Sequence, residues 1–312
     1  MIEAPLKPET KKMSGIIRLG FVELLVNDLS RASNFYSRIL GLQETHQEDG
    51  RLFFKCWDEY DHHSVILKNG TGPGLVKLGW KVGSERDLEQ LEQEIEKYGV
   101  PVKRISKSEE AAVGEALSFI APSGQPMMLY ADMDQPGKRI VPPDIIPEGL
   151  TGIAPLHLDH LVISAEDADE AVNFLTSVLG FRISEQILDP EGHAVASFLF
   201  RTNKAHDIAV VHGPAGRFHH LAFGLEDRSD VKRAAEIVSQ HQQVEVPPSQ
   251  HGITRGCTTY FRDSEGNRIE TFAGGYMTYP DFPTITWSTE HMDRATFYFG
   301  GPTNPDMFME WL

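Results

Sequence analysis

DHLVISAEDADEAVNFLTSVLGF, residues 159–181, repeats an earlier stretch of the same chain, GFVELLVNDLSRASNFYSRILGL, residues 20–42. The two align without a gap at an offset of 159 − 20 = 139 residues, so that Gly180 falls on Gly41. Each copy has a short apolar run typical of a strand, an acidic turn that can cap a helix, and a helical stripe that ends at a glycine. Such a repeat predicts that one structural unit occurs more than once.

Two further pairs of segments repeat in the same order. KLGWKVGSERDLEQLEQEIEKYGV, from Lys77, matches HLAFGLEDRSDVKRAAEIVSQHQQ, from His220, and both indicate a strand, an acidic turn and a helix. APSGQPMMLYAD, from Ala121, matches RDSEGNRIETFA, from Arg262, and both indicate a tight turn that leads into a strand. We therefore predict two similar halves, each with two units of one strand, one helix and further strands.

The repeat and the local composition divide the chain into five segments. A polar, Lys- and Pro-containing start predicts a flexible leader, and the Pro- and Gly-rich stretch between the halves predicts a linker. The expected boundaries are a leader at 1–15, an N-terminal non-catalytic domain at 16–135, a linker at 136–154, a C-terminal catalytic domain at 155–278 and an aromatic tail at 279–312.

Composition argues against several classes of partner. Lys and Arg number 29 against 45 Asp and Glu, a formal charge of −16, and such a surface repels nucleic acid phosphates and anionic membranes. No apolar run approaches the length needed to span a membrane, and the first residues lack the apolar core of a secretory signal. With only two cysteines, Cys56 and Cys257, we expect a cytoplasmic protein without a nucleic acid or membrane partner.

The repeat also serves as an internal control for chemistry, because a polar residue needed only for the fold would be expected in both copies. At three positions the copies differ sharply, and the pairs, second copy against first, are His160 against Phe21, His220 against Lys77 and Glu270 against Met128. The second half therefore has two imidazoles and a carboxylate where the first has an aromatic ring, an amine and a thioether.

Strand alternation predicts that these three side chains share one interior. In HHLAFGL, His220 lies on the face of the small Ala222, whereas His219 shares a face with large apolar residues, so His220 is the better ligand. By the same alternation His160 and Glu270 lie opposite their apolar neighbours. Two histidines and one carboxylate on one side of a metal leave positions open for substrate, as in the non-heme Fe(II) oxygenases, whereas a structural zinc site closes its shell with four ligands.

Several motifs together resemble a known family. They are KAHD at 204–207, HHLAF at 219–223, HGITRG at 251–256, TYF at 259–261, GNRIETF at 266–272, GGYMTYPDFPTITW at 274–287 and FYFGG at 297–301. In combination they resemble the extradiol dioxygenases of the vicinal-oxygen-chelate superfamily, and the subgroup that acts on single-ring catechols in particular. The resemblance covers nearly the whole chain.

The resemblance implies an α+β fold of two similar domains, each with two βαβββ modules that form an open, mixed-sheet barrel. It implies O₂-dependent cleavage of catechol, and of alkyl- or halo-catechols, to a 2-hydroxymuconate semialdehyde in aromatic hydrocarbon degradation. It further implies Fe(II), with Mn(II) as the alternative, and a homotetramer. The residues it carries over are the metal ligands His160, His220 and Glu270, the acid–base residue His206, the substrate-bonding Tyr260 and the supporting His251.

Other interpretations remain open at this level. Taken alone, His206 is equally a surface histidine at a strand end, His251 a solvated loop residue and Tyr260 a core residue. Alternative functions are a dioxygenase for two-ring diols of the dihydroxybiphenyl type, a glyoxalase-like isomerase and a non-catalytic aromatic binder. The histidines expected at the surface are His62, His63, His193 and His241.

Overall fold

In the computed structural model the described residues are 15–107, 109–135 and 149–312. Nearly all of the leader expected at 1–15, and most of the linker expected at 136–154, lie outside these residues. No helix among the described residues is long and apolar enough to cross a membrane.

Eight strands form the N-terminal sheet, in the order β2-β3-β4-β1-β5-β8-β7-β6. They are β1 (Ile16–Val26), β2 (Gln43–Glu48), β3 (Arg51–Lys55), β4 (Val65–Asn69), β5 (Gly74–Val82), β6 (Lys103–Ile105), β7 (Ala116–Ile120) and β8 (Pro126–Tyr130). β1 pairs parallel with β4, β5 pairs parallel with β8, and the antiparallel β1–β5 pair joins the two groups of four strands.

Nine strands form the C-terminal sheet, in the order β14-β15-β16-β13-β9-β12-β11-β10-β17. They are β9 (His157–Ala165), β10 (Arg182–Leu188), β11 (Ala194–Phe200), β12 (Ile208–His212), β13 (Phe218–Gly224), β14 (Val244–Gln250), β15 (Gly256–Arg262), β16 (Arg268–Gly274) and β17 (Ile285–Ser288). The first eight repeat the N-terminal pairing, and β17 adds a tail strand beside β10.

Each group of four strands has one helix after its first strand. The helices are α1 (Leu29–Asn34), which continues as a π-helical turn (Phe35–Leu40), α2 (Glu85–Tyr98), α3 (Ala168–Ser177) and α4 (Arg228–Val238). Asp28, Ser84, Asp167 and Asp227 cap them by accepting backbone N–H groups of the first turn, as the acidic turns predict. The expected α+β fold of four βαβββ modules is thereby confirmed.

The tail beyond β17 contains α5 (Met292–Thr296) and two 3₁₀ segments, Thr289–His291 and Pro305–Met309. It packs on the C-terminal barrel, where Leu312 exchanges backbone hydrogen bonds with Phe218 at 2.8 and 3.0 Å.

Strand register explains why the two barrel interiors differ. Ala222 of β13 pairs with both His160 and Glu270, so the two ligands flank one small residue. Gly79 of β5 occupies the same place in the N-terminal sheet, between Phe21 and Met128. There the lumen is filled by a separate apolar cluster that includes Phe21, Phe53, Ile66, Met128 and Tyr130. Apolar side chains therefore occupy the positions of the N-terminal lumen that correspond to His160 and Glu270.

One apolar core spans both domains and fixes their relative position. The Trp80 and Phe181 rings meet edge to face with centroids 4.9 Å apart. Across the same interface, the Glu265 carboxylate accepts the backbone N–H groups of Asn27 and Asp28 at 3.0 and 3.1 Å, which holds the start of α1 against the C-terminal domain.

Candidate metal centre and active site

His160, His220 and Glu270 meet inside the C-terminal barrel, on the neighbouring strands β9, β13 and β16. All three are buried, with exposed fractions of 3%, 5% and 2%. Glu270 Oε2 lies 3.0 Å from the Nε2 atom of each histidine. The structure thus brings together the three residues that the sequence predicted as metal ligands.

The donor set fits a metal ion. Imidazole nitrogen and carboxylate oxygen bind a divalent ion at about 2.1 Å, so two donors at right angles lie about 3 Å apart, as these do. His220 Nε2 is buried and lies at ion-pair distance from Glu270, yet it makes no hydrogen bond among the described residues. An uncompensated buried nitrogen aimed at a carboxylate is typical of a ligand position. The three protein donors lie on adjacent strands and leave positions for substrate.

Asp159 orients His160. Its Oδ1 atom accepts a hydrogen bond from His160 Nδ1 at 2.8 Å, which leaves the Nε2 lone pair for the metal. Lys204 Nζ lies 3.2 Å from Asp159 Oδ2 and 3.1 Å from Asp207 Oδ1, so the KAHD segment supports this contact. Burial raises the pKa of Asp159, but Lys204 and the histidine hydrogen bonds together lower it well below its usual value. Asp159 therefore stays ionised and accepts the hydrogen bond that orients His160.

The electrostatic environment favours a cation between the ligands. Burial lowers the pKa of His160, yet hydrogen bonds to Asp159 and Glu270 raise it to about 9. Thr258 donates its hydroxyl to Glu270 Oε1, so the other oxygen faces the two histidines. Burial raises the pKa of Glu270, but the adjacent His160 and His220 together lower it well below its usual value. The negative potential that favours a proton here equally favours a divalent metal.

His206 lies directly beside the cluster. Its ring centroid is 3.9 Å from that of His160, and it is buried at 6% exposure on the cavity wall. Burial, and then the positive charge of His160, lower the pKa of His206 well below its usual value. Among the described residues its ring nitrogens have no hydrogen-bond partner, so a neutral imidazole is free to face a substrate.

Tyr260 and His251 form a hydrogen-bonded pair on the other side of the cluster. His251 Nδ1 donates to the carbonyl of Thr296, so its Nε2 accepts the Tyr260 hydroxyl at 3.0 Å. The Tyr260 ring lies 5.1 Å from the His220 ring, and His251 Nε2 lies 3.6 Å from Glu270 Oε1. Burial and the nearby Glu270 raise the pKa of Tyr260 well above its usual value, which keeps its hydroxyl protonated.

Comparison with known proteins places this geometry in a family. Residues 157–271 match the Glyoxalase/Bleomycin resistance protein/Dioxygenase superfamily, and residues 77–134 match the catechol 2,3-dioxygenase-like N-terminal domain. The chain is 38% identical to a metapyrocatechase of Pseudomonas sp. (strain CF600), over 91% of this chain and 94% of that protein. The chain belongs to the extradiol dioxygenases. Members of this family carry a catalytic metal.

Two further relatives of this extradiol dioxygenase bear on the metal and the fold. A manganese-dependent 2,3-dihydroxybiphenyl 1,2-dioxygenase of Geobacillus genomosp. 3 is 28% identical, over 93% of this chain and 96% of that protein. The crystal structure of the 2,3-dioxygenase LapB from Pseudomonas sp. KL28 superposes with a TM-score of 0.86 at 38% identity, covering 89% of this chain and 99% of that one.

His219 is a site residue of this extradiol dioxygenase that sequence reasoning missed. Its Nε2 atom lies 2.9 Å from the carbonyl of Met307 in the tail, and a carbonyl can only accept. His219 Nδ1 must then accept, at 2.6 Å, from His220 Nδ1, which assigns the lone pair of His220 Nε2 to the metal. Alternation predicted His219 on the face of the large apolar residues, but an irregularity in the strand register between Phe218 and His220 leaves it on the cavity wall beside the tail. Its partner in the tail is 88 residues distant and gives no local signal.

His63 was wrongly expected at the surface. It is buried at 1% exposure, its Nε2 atom has no hydrogen-bond partner in the described part of the chain, and burial lowers its pKa well below the usual value. Register shows why: His63 stands two residues before Val65, which pairs with Val22, as His206 stands two residues before Ile208, which pairs with Leu161. His63 is therefore the N-terminal counterpart of His206, packed against Phe21 instead of a metal ligand.

A cavity of about 1740 Å³ opens from the metal cluster of this extradiol dioxygenase. Its walls near the cluster are apolar, and tail residues complete its rim; these wall and rim residues are Ile187, Val195, Ala196, Ile253, Met292, Ala295, Phe297, Met307 and Trp311. Sequence reasoning left the position of the tail undecided between a barrel mouth and an interface. In the structure the tail lines the mouth.

Proposed function

We propose that this extradiol dioxygenase cleaves catechol with O₂ next to the diol, yields 2-hydroxymuconate semialdehyde, and serves aromatic hydrocarbon degradation. The observation that carries the proposal is the buried His160–His220–Glu270 cluster with a neutral His206 against it in an apolar cavity. The metapyrocatechase relationship over nearly the full length of both chains supports the same reaction.

The proposed metal is Fe(II), with His160, His220 and Glu270 as its ligands and Mn(II) as the alternative that the manganese-dependent relative supports. When bound, the metal supplies a Lewis acid whose open positions bring the two catechol oxygens and O₂ together. The contribution of the chain is to orient the ligands through Asp159 and to exclude water from the buried cluster.

Residues on opposite sides of the cluster are assigned to two roles, a hydrogen bond to the substrate and proton transfer. The Tyr260 hydroxyl donates its proton to His251, so its oxygen is placed to accept a hydrogen bond from a substrate hydroxyl. His206 is neutral because of its lowered pKa, so it can accept a proton from the diol and return it to a reduced oxygen atom when the O–O bond breaks. His206 is thus the proposed acid–base residue, and Tyr260 and His251 are the proposed substrate-binding pair.

Cavity shape and chemistry define the expected substrates. The wall formed by Ile187, Ala196, Ile253 and Ala295 is apolar, which supports alkyl- and halo-catechols beside catechol itself. The second candidate function is cleavage of two-ring diols, because the cavity exceeds the 300–1,000 Å³ or so of a usual small-ligand site. A glyoxalase-like isomerase with ligands from both halves is disfavoured, since Phe21 and Met128 fill the N-terminal lumen.

We also propose a homotetramer in the cytoplasm. Exposed aromatic side chains in the tail, Tyr298, Phe299 and Phe308, supply apolar surface for contacts between subunits. Both cysteines are free thiols, as a reducing compartment favours. Light scattering of the purified protein measures the assembly directly.

The test of function is anaerobic loading with Fe(II) or Mn(II), followed by catechol and air. We expect yellow semialdehyde with one O₂ consumed per ring, and no product from His160→Ala or Glu270→Ala. Met128→Leu, at the N-terminal counterpart of Glu270, is the matched control and should retain activity. Metal-loaded protein that consumes no O₂ with catechol would overturn the catechol assignment, and 2,3-dihydroxybiphenyl in a parallel assay decides the second candidate.

A further inference from the structure

Glu185 is a carboxylate buried inside the C-terminal barrel, outside the metal cluster. It lies on β10, is 1% exposed, and has no ion-pair partner among the described residues. Its oxygens instead accept three hydrogen bonds of 2.7 Å, from the Thr254 backbone N–H, the Tyr276 hydroxyl and the Trp287 indole N–H. A buried charge without a counter-ion is costly, so these three donors must account for its presence.

The three donors belong to three separate segments that surround the cavity. Thr254 lies in the loop between β14 and β15 that also carries His251, Tyr276 follows β16, and Trp287 lies on the tail strand β17. Thr254 and Tyr276 line the cavity, whereas Glu185 and Trp287 are not among the lining residues. A single carboxylate outside the cavity lining thus connects the loop, the barrel and the tail.

The fold by itself does not require this carboxylate. The internal repeat places His46 at the corresponding position of the N-terminal sheet, since 185 − 139 = 46, and both positions adjoin an irregularity in the hairpin register. The His46 side chain is 45% exposed. The same module therefore folds without a buried acid at this position, so the fold that the two halves share does not require Glu185.

The loop that Glu185 holds is strained and forms part of the wall. Thr254 and Arg255 have φ angles of 60° and 59°, a left-handed conformation that residues with a side chain disfavour. Immediately before them, Ile253 N–H donates to the Ala295 carbonyl at 2.7 Å and links the loop to α5. Ile253 and Ala295 pack with Ile187 into the apolar wall of the cavity.

We propose that Glu185 is a positioning residue that sets the ring-substituent pocket by holding the Thr254–Arg255 turn and the tail strand against the barrel. The proposal rests on the proposed function and names the part of the chain that governs substrate preference. Glu185 touches neither the metal ligands nor the cavity, so it acts through the wall residues Ile253 and Ala295.

Glu185→Gln tests this role, because glutamine retains the shape but offers one accepting oxygen instead of two. Position 4 of catechol is remote from the two chelating oxygens, so a methyl group there tests the cavity wall and not the metal site. We expect the KM for 4-methylcatechol to rise about tenfold relative to the KM for catechol, the lower end of what one misplaced methylene contact changes. The kcat with catechol should be unchanged, and hydrogen exchange should accelerate in residues 251–256 and 285–288.

Glu265→Gln is the matched control, a second buried carboxylate that accepts backbone N–H groups but does not line or back the cavity. It should leave the KM ratio unchanged. Trp287→Phe removes one donor but keeps an aromatic ring against the apolar wall, and this variant takes the place of Glu185→Gln if Glu185→Gln does not fold. An unchanged KM ratio in folded protein, an equal rise in both KM values, or unchanged hydrogen exchange would overturn the proposal. Wild-type protein inactive on both catechols would instead overturn the proposed function, while hydrogen exchange would still test Glu185.

Discussion

His206 and His63 occupy equivalent positions in the two halves, yet only His206 faces a metal cluster. Both are buried, and burial lowers the pKa of each well below the usual histidine value. The difference lies in the neighbour, which is His160 for one ring and Phe21 for the other. This pair provides an internal comparison for the proposed acid–base role.

Replacing His206 with phenylalanine should lower kcat on catechol by about 10²–10⁴-fold, the usual contribution of a placed acid–base group. Bound metal should stay at the wild-type level, because His206 is not among the ligands. Steady-state kinetics and metal analysis measure both. His63→Phe makes the same change in the N-terminal copy and should leave kcat unaltered. Wild-type turnover in His206→Phe would contradict the acid–base role of His206.

The tail carbonyl of Met307 and the ligand His220 are connected through His219. His219→Phe removes this connection while it keeps an aromatic ring, so we expect Fe(II) affinity to fall about 10–100-fold, as with other partners of metal-bound histidines. His219→Gln can accept from His220 and donate to Met307, and should retain most of the affinity. Release of Fe(II) to a chelator is the measurement, and equal affinity in the phenylalanine variant would contradict the connection.

At the scale of the element, the internal repeat predicted the strands and the helix of each module. Helix starts followed from acidic turns such as those at Asp28 and Asp167, because capping is a local interaction. The tail strand β17 was not predicted, since Ile285–Ser288 is short and partly exposed and gains its hydrogen bonds from β10, about 100 residues earlier. Long-range pairing of this kind has no periodic signal in the sequence.

The start of α1 depends on the other domain, which gives a prediction at the scale of the element. Glu265 accepts the N–H groups of Asn27 and Asp28, and Arg31 Nε donates to it at 2.6 Å. Glu265→Gln should therefore lower the free energy of unfolding by about 1–3 kcal/mol, the cost of weakening buried hydrogen bonds to a charged group. Urea denaturation measures the change, with the exposed Glu290→Gln as control; equal stability of the two variants would contradict this role.

Stability of the whole molecule should depend on pH through its buried neutral histidines. The folded pKa of His63 lies below the unfolded value of about 6.5, so the unfolded chain binds the proton first as pH falls. The stabilisation is complete above pH 6.5 and is lost below it, by about 1.4 kcal/mol per pH unit for each such histidine. His63 adjoins no proposed metal ligand, which makes it the cleanest position to examine.

Between pH 7.5 and 5.5 the free energy of unfolding should therefore depend less on pH in His63→Phe than in the wild type. Below pH 6.5 the slope should be smaller by about 1.4 kcal/mol per pH unit. Urea denaturation at the two pH values gives the slope for variant and wild type. His241→Phe, at an exposed histidine, is the control and should keep the wild-type slope. Identical slopes in all three proteins would show that His63 protonates equally in both states.

The sequence by itself determined the two-domain fold, the four modules and the three candidate ligands, because periodicity, capping and an internal repeat are all local or self-referential signals. It also carried the resemblance that assigned His206, Tyr260 and His251, which the structure places around one cavity. Only the tertiary structure revealed the burial of His63, the link from Met307 through His219, and the three donors on Glu185. Each of these depends on side chains that meet from distant segments, and chain spacing contains no measure of such contacts.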